Sequence, residues 1–400
     1  MNRKLVHIVI IAMFFVSALH LMALHRTLYS IGLSYGLTGS EKGNLISAQM
    51  IGSILAALLG GRISDIWGRK KLALLGLSFS TLGTLMMSRT PAFEPLLAYQ
   101  ISIFCIFLVG SGMGIILSIS NALMFDLHPQ RRVFYVNLGH SCFAGGAIAG
   151  PFIANFLIQF SDWPLVYLVN GILTGTIFLC LLLSTFPKEE HILKTSVRVF
   201  KGTLKKQAVI WLSICIALYA GSQGGFTSWI VEYLSTNSLL TLSERGSGFF
   251  LSYFWIAVFI GRLNYGWIVE RSSPFFVLLL SCLVGAGSIL LLTKTAHPLS
   301  YLVFICLYGL SLSGMLGTLF SLIGQYFPHS SGTIAGMMMA ISGAGGAILP
   351  NLIGRVTDVQ GWGISAGIRF CALYLLAIAV IISLLALLEK NSPLFTRRNG

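Results

Sequence analysis

Apolar residues in this chain fall in blocks of about 20, the length an α-helix needs at about 1.5 Å per residue to cross about 30 Å of hydrocarbon. Twelve such blocks occur, separated by short stretches of Pro, Gly, Ser or charge such as Arg89-Thr90-Pro91 and Phe327-Pro328-His329-Ser330. They predict membrane-spanning helices over 5-30, 43-63, 71-88, 96-124, 133-159, 164-186, 207-234, 246-269, 274-293, 299-326, 331-356 and 364-388. One connection is longer than the rest. The polar stretch 187-206, rich in Lys and Glu, divides the chain into six spans over 1-186 and six over 207-400.

Composition agrees with the pattern. The 400 residues are 56% hydrophobic and 10% charged, with a mean hydropathy of +0.85, where a soluble chain carries about 25% charged residues. Each span with its connection has roughly 33 residues, a spacing that leaves no room for a soluble catalytic domain. The expected class is therefore an all-α polytopic membrane protein.

The net charge of +14 changes meaning once it is located. With a cytoplasmic N-terminus, 18 of the 26 Lys and Arg fall on the inner side: Arg3, Lys4, Arg62, Arg69, Lys70, Lys71, Arg131, Arg132, six in the linker, Arg271, Lys390, Arg397 and Arg398. Four fall outside (Lys42, Arg89, Arg245, Lys294) and four within spans (Arg26, Arg262, Arg355, Arg369). Positive residues concentrate on the cytoplasmic side of membrane proteins, so both termini are expected there. The basic balance reports topology and points to no nucleic-acid partner.

Seven cysteines sit singly inside apolar blocks, which suits small core residues rather than disulfides or metal ligands. Arg3 and Lys4 before an apolar run mimic a signal peptide, but no small-residue cleavage site follows. The run reads as a retained first helix. Gly32-Leu33-Ser34-Tyr35-Gly36 fits the nucleophile elbow of hydrolases, yet no strand precedes it and it closes a span. It reads as a turn.

Internal repetition organises the twelve spans. Gly61-Arg62-Ile63-Ser64-Asp65 is echoed by Gly266-Trp267-Ile268-Val269-Glu270 at an offset of 205, Ser111-Gly112-Met113 by Ser313-Gly314-Met315 at 202, and Gly145-Gly146-Ala147-Ile148 by Gly345-Gly346-Ala347-Ile348 at 200. A duplicated six-helix unit follows. Because six is even, the copies keep one orientation, as parallel repeats about an axis along the membrane normal do.

The segment Gly61 to Lys71 (GRISDIWGRKK) resembles the loop 2-3 signature of the major facilitator superfamily, G-x-x-x-D-x-x-G-R-K/R. The resemblance implies two six-helix bundles around a central cavity, with spans 1, 4, 7 and 10 lining it. It implies a cytoplasmic latch at Gly61, Asp65, Gly68, Arg69 and Lys70, with Glu270 in the repeat copy. Tyr219 to Trp229 and Asn137-Leu138-Gly139-His140 look like the fucose-type sugar symporter branch. Span 1 departs from that branch, carrying His20, His25 and Arg26 where its symporters place a proton-coupling carboxylate.

Candidate residues follow from polar groups on the cavity-lining spans: His25, Arg26, Tyr29, Ser118, Asn121, Tyr219, Gln223, Trp229, Tyr308 and Gln325. Aromatics beside amides and hydroxyls suit a sugar-like solute. An Arg inside a span needs a partner or a cavity, so Arg26 and Glu232 are expected to pair at the outer gate or to bind a charged substrate. His20 is a further candidate for coupling. Gly221, Gly224 and Gly225 suggest that span 7 opens or bends beside the site, and Arg262 reads as a packing position. Gly146, Gly150 and Pro151, with Gly346 and Pro350, read as close helix packing.

The function expected is secondary active transport of a small polar organic solute by alternating access, with a proton or cation as possible coupling partner. The runner-up is ion-coupled export of a drug, siderophore or other metabolite. No enzymatic dyad, cofactor motif or metal set is present, and no P-loop for ATP. The chain is expected to act as a monomer among membrane lipids, in a bacterial inner membrane.

Overall fold

The computed structural model describes residues 3–127, 132–184, 207–236, 242–324 and 331–391. Among them are thirteen α-helices: α1 (Arg3–Tyr35), α2 (Gly39–Trp67), α3 (Arg69–Met87), α4 (Pro95–Leu127), α5 (Arg132–Leu157), α6 (Pro164–Leu183), α7 (Gln207–Thr236), α8 (Glu244–Arg271), α9 (Pro274–Leu292), α10 (Pro298–Leu312), α11 (Met315–Gly324), α12 (Ser331–Thr357) and α13 (Gly363–Asn391). The tenth span is made of α10 and α11 together, so α12 and α13 are the eleventh and twelfth. Eleven stretches of the described residues are long and apolar enough to cross a bilayer. The linker at 187-206 lies outside the described residues.

Helix boundaries have local causes. Gly36, at φ 65°, turns the chain after α1. Thr38 then starts α2 with a capping box, its hydroxyl accepting the Glu41 N–H while the Glu41 carboxylate accepts the Thr38 N–H. Gly68, at φ 87°, separates α2 from α3 within one residue, a conformation that side chains rarely tolerate. Pro opens α6, α9 and α10, where its missing N–H has no intrahelical partner to lose.

The chain forms two compact units. The first is Met1–Ile192 with Thr227–Asn237 and Thr241–Ser252, and the second is Leu193–Phe226, Ser238–Leu240 and Tyr253–Gly400. In the first, α2 and α3 pack on α4, and α1 packs on α5. Glycines set how near the helices come. A Cβ at Gly110 would lie 2.0 Å from the Gln49 carbonyl oxygen, and one at Gly114 would lie 2.1 Å from that of Ser53. Such backbone-to-backbone contact is how helices associate where lipid removes the hydrophobic drive. On α5, Gly146 receives the Phe15 carbonyl and Gly150 receives Met22, and α5 continues through Pro151.

The second unit repeats this device. Gly345 on α12 receives the Ala217 carbonyl of α7, at 2.2 Å from a built Cβ. Gly346 and Pro350 lie against Gly224. Gly146 and Gly345 thus do corresponding work 199 positions apart, one residue off the register that the repeated letters suggest.

Of the two expectations for span 7, that it opens or bends, the helix does not open. It runs unbroken as α7, and its glycines are seats: Gly221 takes the Leu349 side chain and Gly225 takes Ile353. The interruption falls instead at Ser313-Gly314 in the tenth span. Its counterpart Ser111-Gly112 lies inside the continuous α4.

Candidate functional site

Arg26 is completely buried near the end of α1, where an uncompensated guanidinium would cost several kcal/mol. Its Nη1 donates to Glu244 at 2.8 Å, and its Nε donates to the Asn155 side-chain carbonyl. Ser30, one turn along α1, donates to the same Glu244 carboxylate oxygen. Glu244 stands in the first turn of α8, and one turn later comes Gly248. A Cβ there would lie 2.2 Å from both Arg26 Nε and Asn155 Oδ1, so a glycine is what lets α8 lie over this network. Arg26 Nη2 and the Asn155 amide nitrogen are buried without a hydrogen-bond partner.

A second ion pair joins Lys42, in the first turn of α2, to Glu232 near the end of α7 at 2.5 Å. The Lys42 ammonium also stands 5.3 Å from the centre of the buried Trp229 ring, a cation–π distance. Tyr29 feels both carboxylates, Glu232 and Glu244. All these groups belong to the first unit.

The expected Arg26–Glu232 pair is therefore replaced by two separate pairs, each acid having its own cation. The sequence concealed this for a definite reason. The apolar pattern begins span 8 at 246, which leaves Glu244 in a loop, and makes Lys42 an outer-loop charge just ahead of span 2. Helices longer than the apolar blocks bring both residues into first turns. Double-mutant analysis with Lys42→Ala and Glu232→Ala is expected to give a coupling of about 1–2 kcal/mol in thermal unfolding, since the pair is largely shielded from solvent. Strictly additive losses would dismiss the pair.

The remaining candidates are scattered. His20 shares a 3.2 Å hydrogen bond with Thr174, and Gln49 donates to its carbonyl. His25 is buried, with Nδ1 unpartnered. Ser118 is half-buried, and the Asn121 amide bonds back to the Leu117 carbonyl of its own helix. In the second unit Tyr308 is locked to Ser222, their hydroxyls 2.7 Å apart, with its ring against Phe226 and Phe254. Tyr219 is buried with Gln223 and Arg262 as its polar neighbours. Gln325 lies outside the described residues.

At the other end of α2, Gly61 and Asp65 are helical and Gly68 makes the turn. Arg69 donates to the Ala122 carbonyl of α4 at 3.1 Å. Lys70 donates to the Leu182 and Ser184 carbonyls at the end of α6, at 2.9 and 2.6 Å. Cations at helix C-termini satisfy orphan carbonyls and the dipole, so Lys70 ties α3 to the end of α6, while Arg69 ties it to α4 five residues before that helix ends. Glu270 is exposed in the last turn of α8. A groove of about 760 Å³ lined by Met86, Arg89, Phe93, Leu97, Phe104 and Leu168 lies apart from all these charged groups.

Comparison with known proteins places this geometry. A protein 26% identical over 261 residues is the TsgA homolog of Buchnera aphidicola subsp. Schizaphis graminum, and the match spans 64% of each chain. The chain thus spans just under two thirds of that relative's length. Among solved structures, a D-xylose-proton symporter superposes with a TM-score of 0.78 at 15% identity, covering 95% of this chain and 97% of that one. The fucose:proton symporter of E. coli superposes with a TM-score of 0.60 at 19% identity, covering 93% and 97%. At such identities these likenesses show the fold: twelve spans in two halves. The family model for the Major Facilitator Superfamily matches residues 6–350, which takes in the loop signature, both ion pairs and the repeat of span 5 in span 11, and this chain belongs to that superfamily.

Proposed function

We propose that this integral membrane carrier moves a sugar-like polar solute across the membrane by alternating access, and that Arg26–Glu244 and Lys42–Glu232 close its outer gate. The observation that carries the gate is Arg26 itself, wholly buried yet neutralised by an acid from the first turn of α8. Secondary carriers bind solute between two helical halves and expose it to each side in turn. Ion pairs at one end are what such a cycle must break. The xylose symporter's likeness and the aromatic residues beside amides support the sugar-like class.

The positive-inside balance supports a cytoplasmic location for both termini, which puts the Arg26 end outside, in a bacterial inner membrane. The loop from Gly61 to Lys70 then acts as the inner latch, with Asp65 as its carboxylate. His20 remains the candidate carrier of a coupled proton, and the chain acts as a monomer. Export is the second reading, favoured by the lack of a carboxylate on span 1. Flux direction in inside-out vesicles separates the two.

Proteoliposomes under an imposed pH or sodium gradient test the proposal with a panel of sugars, organic acids and drugs. Accumulation of at least one solute about tenfold above empty liposomes is expected for gradient-driven carriage. Absence of flux in both directions across the panel would overturn it. In the same assay Asp65→Asn is expected to slow turnover about tenfold at normal expression, and wild-type turnover would remove the latch.

A further inference from the structure

We propose that Arg262 is the anion-binding group of a substrate subsite in the second unit, and that the transported solute carries a carboxylate. This names the solute class within the carrier reading and rests on that reading.

Arg262 lies nine residues before the end of α8, about 13 Å into the helix. Its Nε donates to the Ser313 carbonyl at 3.2 Å, and the residue is otherwise exposed. Charged groups at such depth face protein or water-filled space rather than lipid. Arg26 and Lys42 each hold a carboxylate, but among the described residues none lies within ion-pair distance of Arg262. Its neighbours are neutral, the Ser313 carbonyl and the Tyr219 hydroxyl. Beside it stands Tyr219, 1% exposed, its hydroxyl facing Arg262 and Gln223 without a well-formed hydrogen bond to either. A buried hydroxyl whose bonds are poorly formed is costly unless a ligand completes them.

The backbone is shaped to the same place. Ser313-Gly314 interrupts the tenth span, and α11, ten residues long, begins at Met315. The Tyr265 ring, three residues along the helix from Arg262, occupies the space where a Gly314 Cβ would be, at 2.0 Å, so only glycine fits there. A helix N-terminus adds partial positive charge. Repetition gives an internal control. At the offset of 205 Arg262 corresponds to Ala57, and at the offset of 202 Ser313-Gly314 corresponds to Ser111-Gly112 within an unbroken helix. A purely structural need would be shared by both copies, whereas cation and break are found in one.

Chemistry selects the ligand. With Nε engaged, the guanidinium's remaining N–H groups present a planar fork, matched by two carboxylate oxygens. The Tyr219 hydroxyl donates a third bond. A single cation and neutral donors balance one negative charge, which favours a monocarboxylate over a phosphate.

The test uses purified full-length protein and matched probes, gluconate with glucose and 4-hydroxybenzoate with 4-hydroxybenzamide. We expect at least one carboxylate, and not its neutral partner, to raise the unfolding temperature and to drive counterflow in proteoliposomes. Arg262→Gln is expected to weaken that carboxylate about tenfold or more, and Tyr219→Phe about threefold to tenfold. Carboxylates acting no better than their neutral partners, or binding Arg262→Gln as tightly as wild type, would overturn the subsite. If Arg262→Gln fails to fold, Tyr219→Phe, which removes one hydroxyl, carries the test. Flux of a neutral solute that is unchanged in Arg262→Gln sinks the subsite and leaves the carrier intact, whereas no flux of any solute sinks the carrier reading itself.

Discussion

Glu244→Gln is expected to destabilise the protein by about 2–3 kcal/mol, because it leaves the buried Arg26 guanidinium without a counter-charge. The figure lies below that for a fully enclosed pair because the Glu244 side chain is 27% exposed. Adding Arg26→Met to Glu244→Gln should restore most of the loss, since an apolar residue leaves no charge stranded. The contact also ties α8 to α1, so the single variant should shift the gate toward opening. A shift of about 2 kcal/mol changes a conformational ratio about 30-fold. Thermal unfolding in detergent reads the first effect, and labelling of a cysteine introduced at Ser34 reads the second. A Glu244→Gln midpoint equal to wild type, or a double variant no better than the single, would show that the pair bears no load.

Gly110→Val is expected to prevent a stable fold altogether. The missing Cβ would meet the Gln49 carbonyl oxygen at 2.0 Å, with the carbonyl carbon at 2.7 Å. Backbone in a facing helix cannot swing aside as a side-chain tip can, so α2 and α4 must part and their small-residue contact is lost. The cost should exceed about 4 kcal/mol, at the exceptional end of single substitutions. Gly145→Ala is the control, because nothing lies within 4 Å of a Cβ there. Size-exclusion profiles and unfolding midpoints should show aggregated Gly110→Val and unaltered Gly145→Ala. Monodisperse Gly110→Val with a wild-type midpoint would refute the close-contact account.

Much of the architecture was legible because bilayer thickness imposes a length on every apolar block and duplication leaves letters at constant offset. Partners were harder. Arg26 could be singled out by its cost, but Glu244 lies 218 residues away, and no local periodicity links a first-turn acid on α8 to a cation nine residues before the end of α1. The glycines of span 7 are ambiguous for a related reason. Three glycines in five residues mark either a weak helix or a seat for a neighbour, and only the facing Leu349 and Ile353 decide between them. Arg262 reads as packing from its place before Asn264 and Gly266, and the interruption beside it has no sequence signature: Ser-Gly-Met occurs in both copies and only one is interrupted.

That interruption also gives the two halves different mechanics. The fourth span is a single rod of 33 residues, which transmits a push at one end to the other. Its partner in the second half is jointed, with 15 residues on one side of Ser313-Gly314 and ten on the other. A jointed element can reorient its short arm while the long arm stays seated. Motion during the transport cycle should therefore be unequal, with the first half moving as a lever and the second yielding locally at Ser313-Gly314.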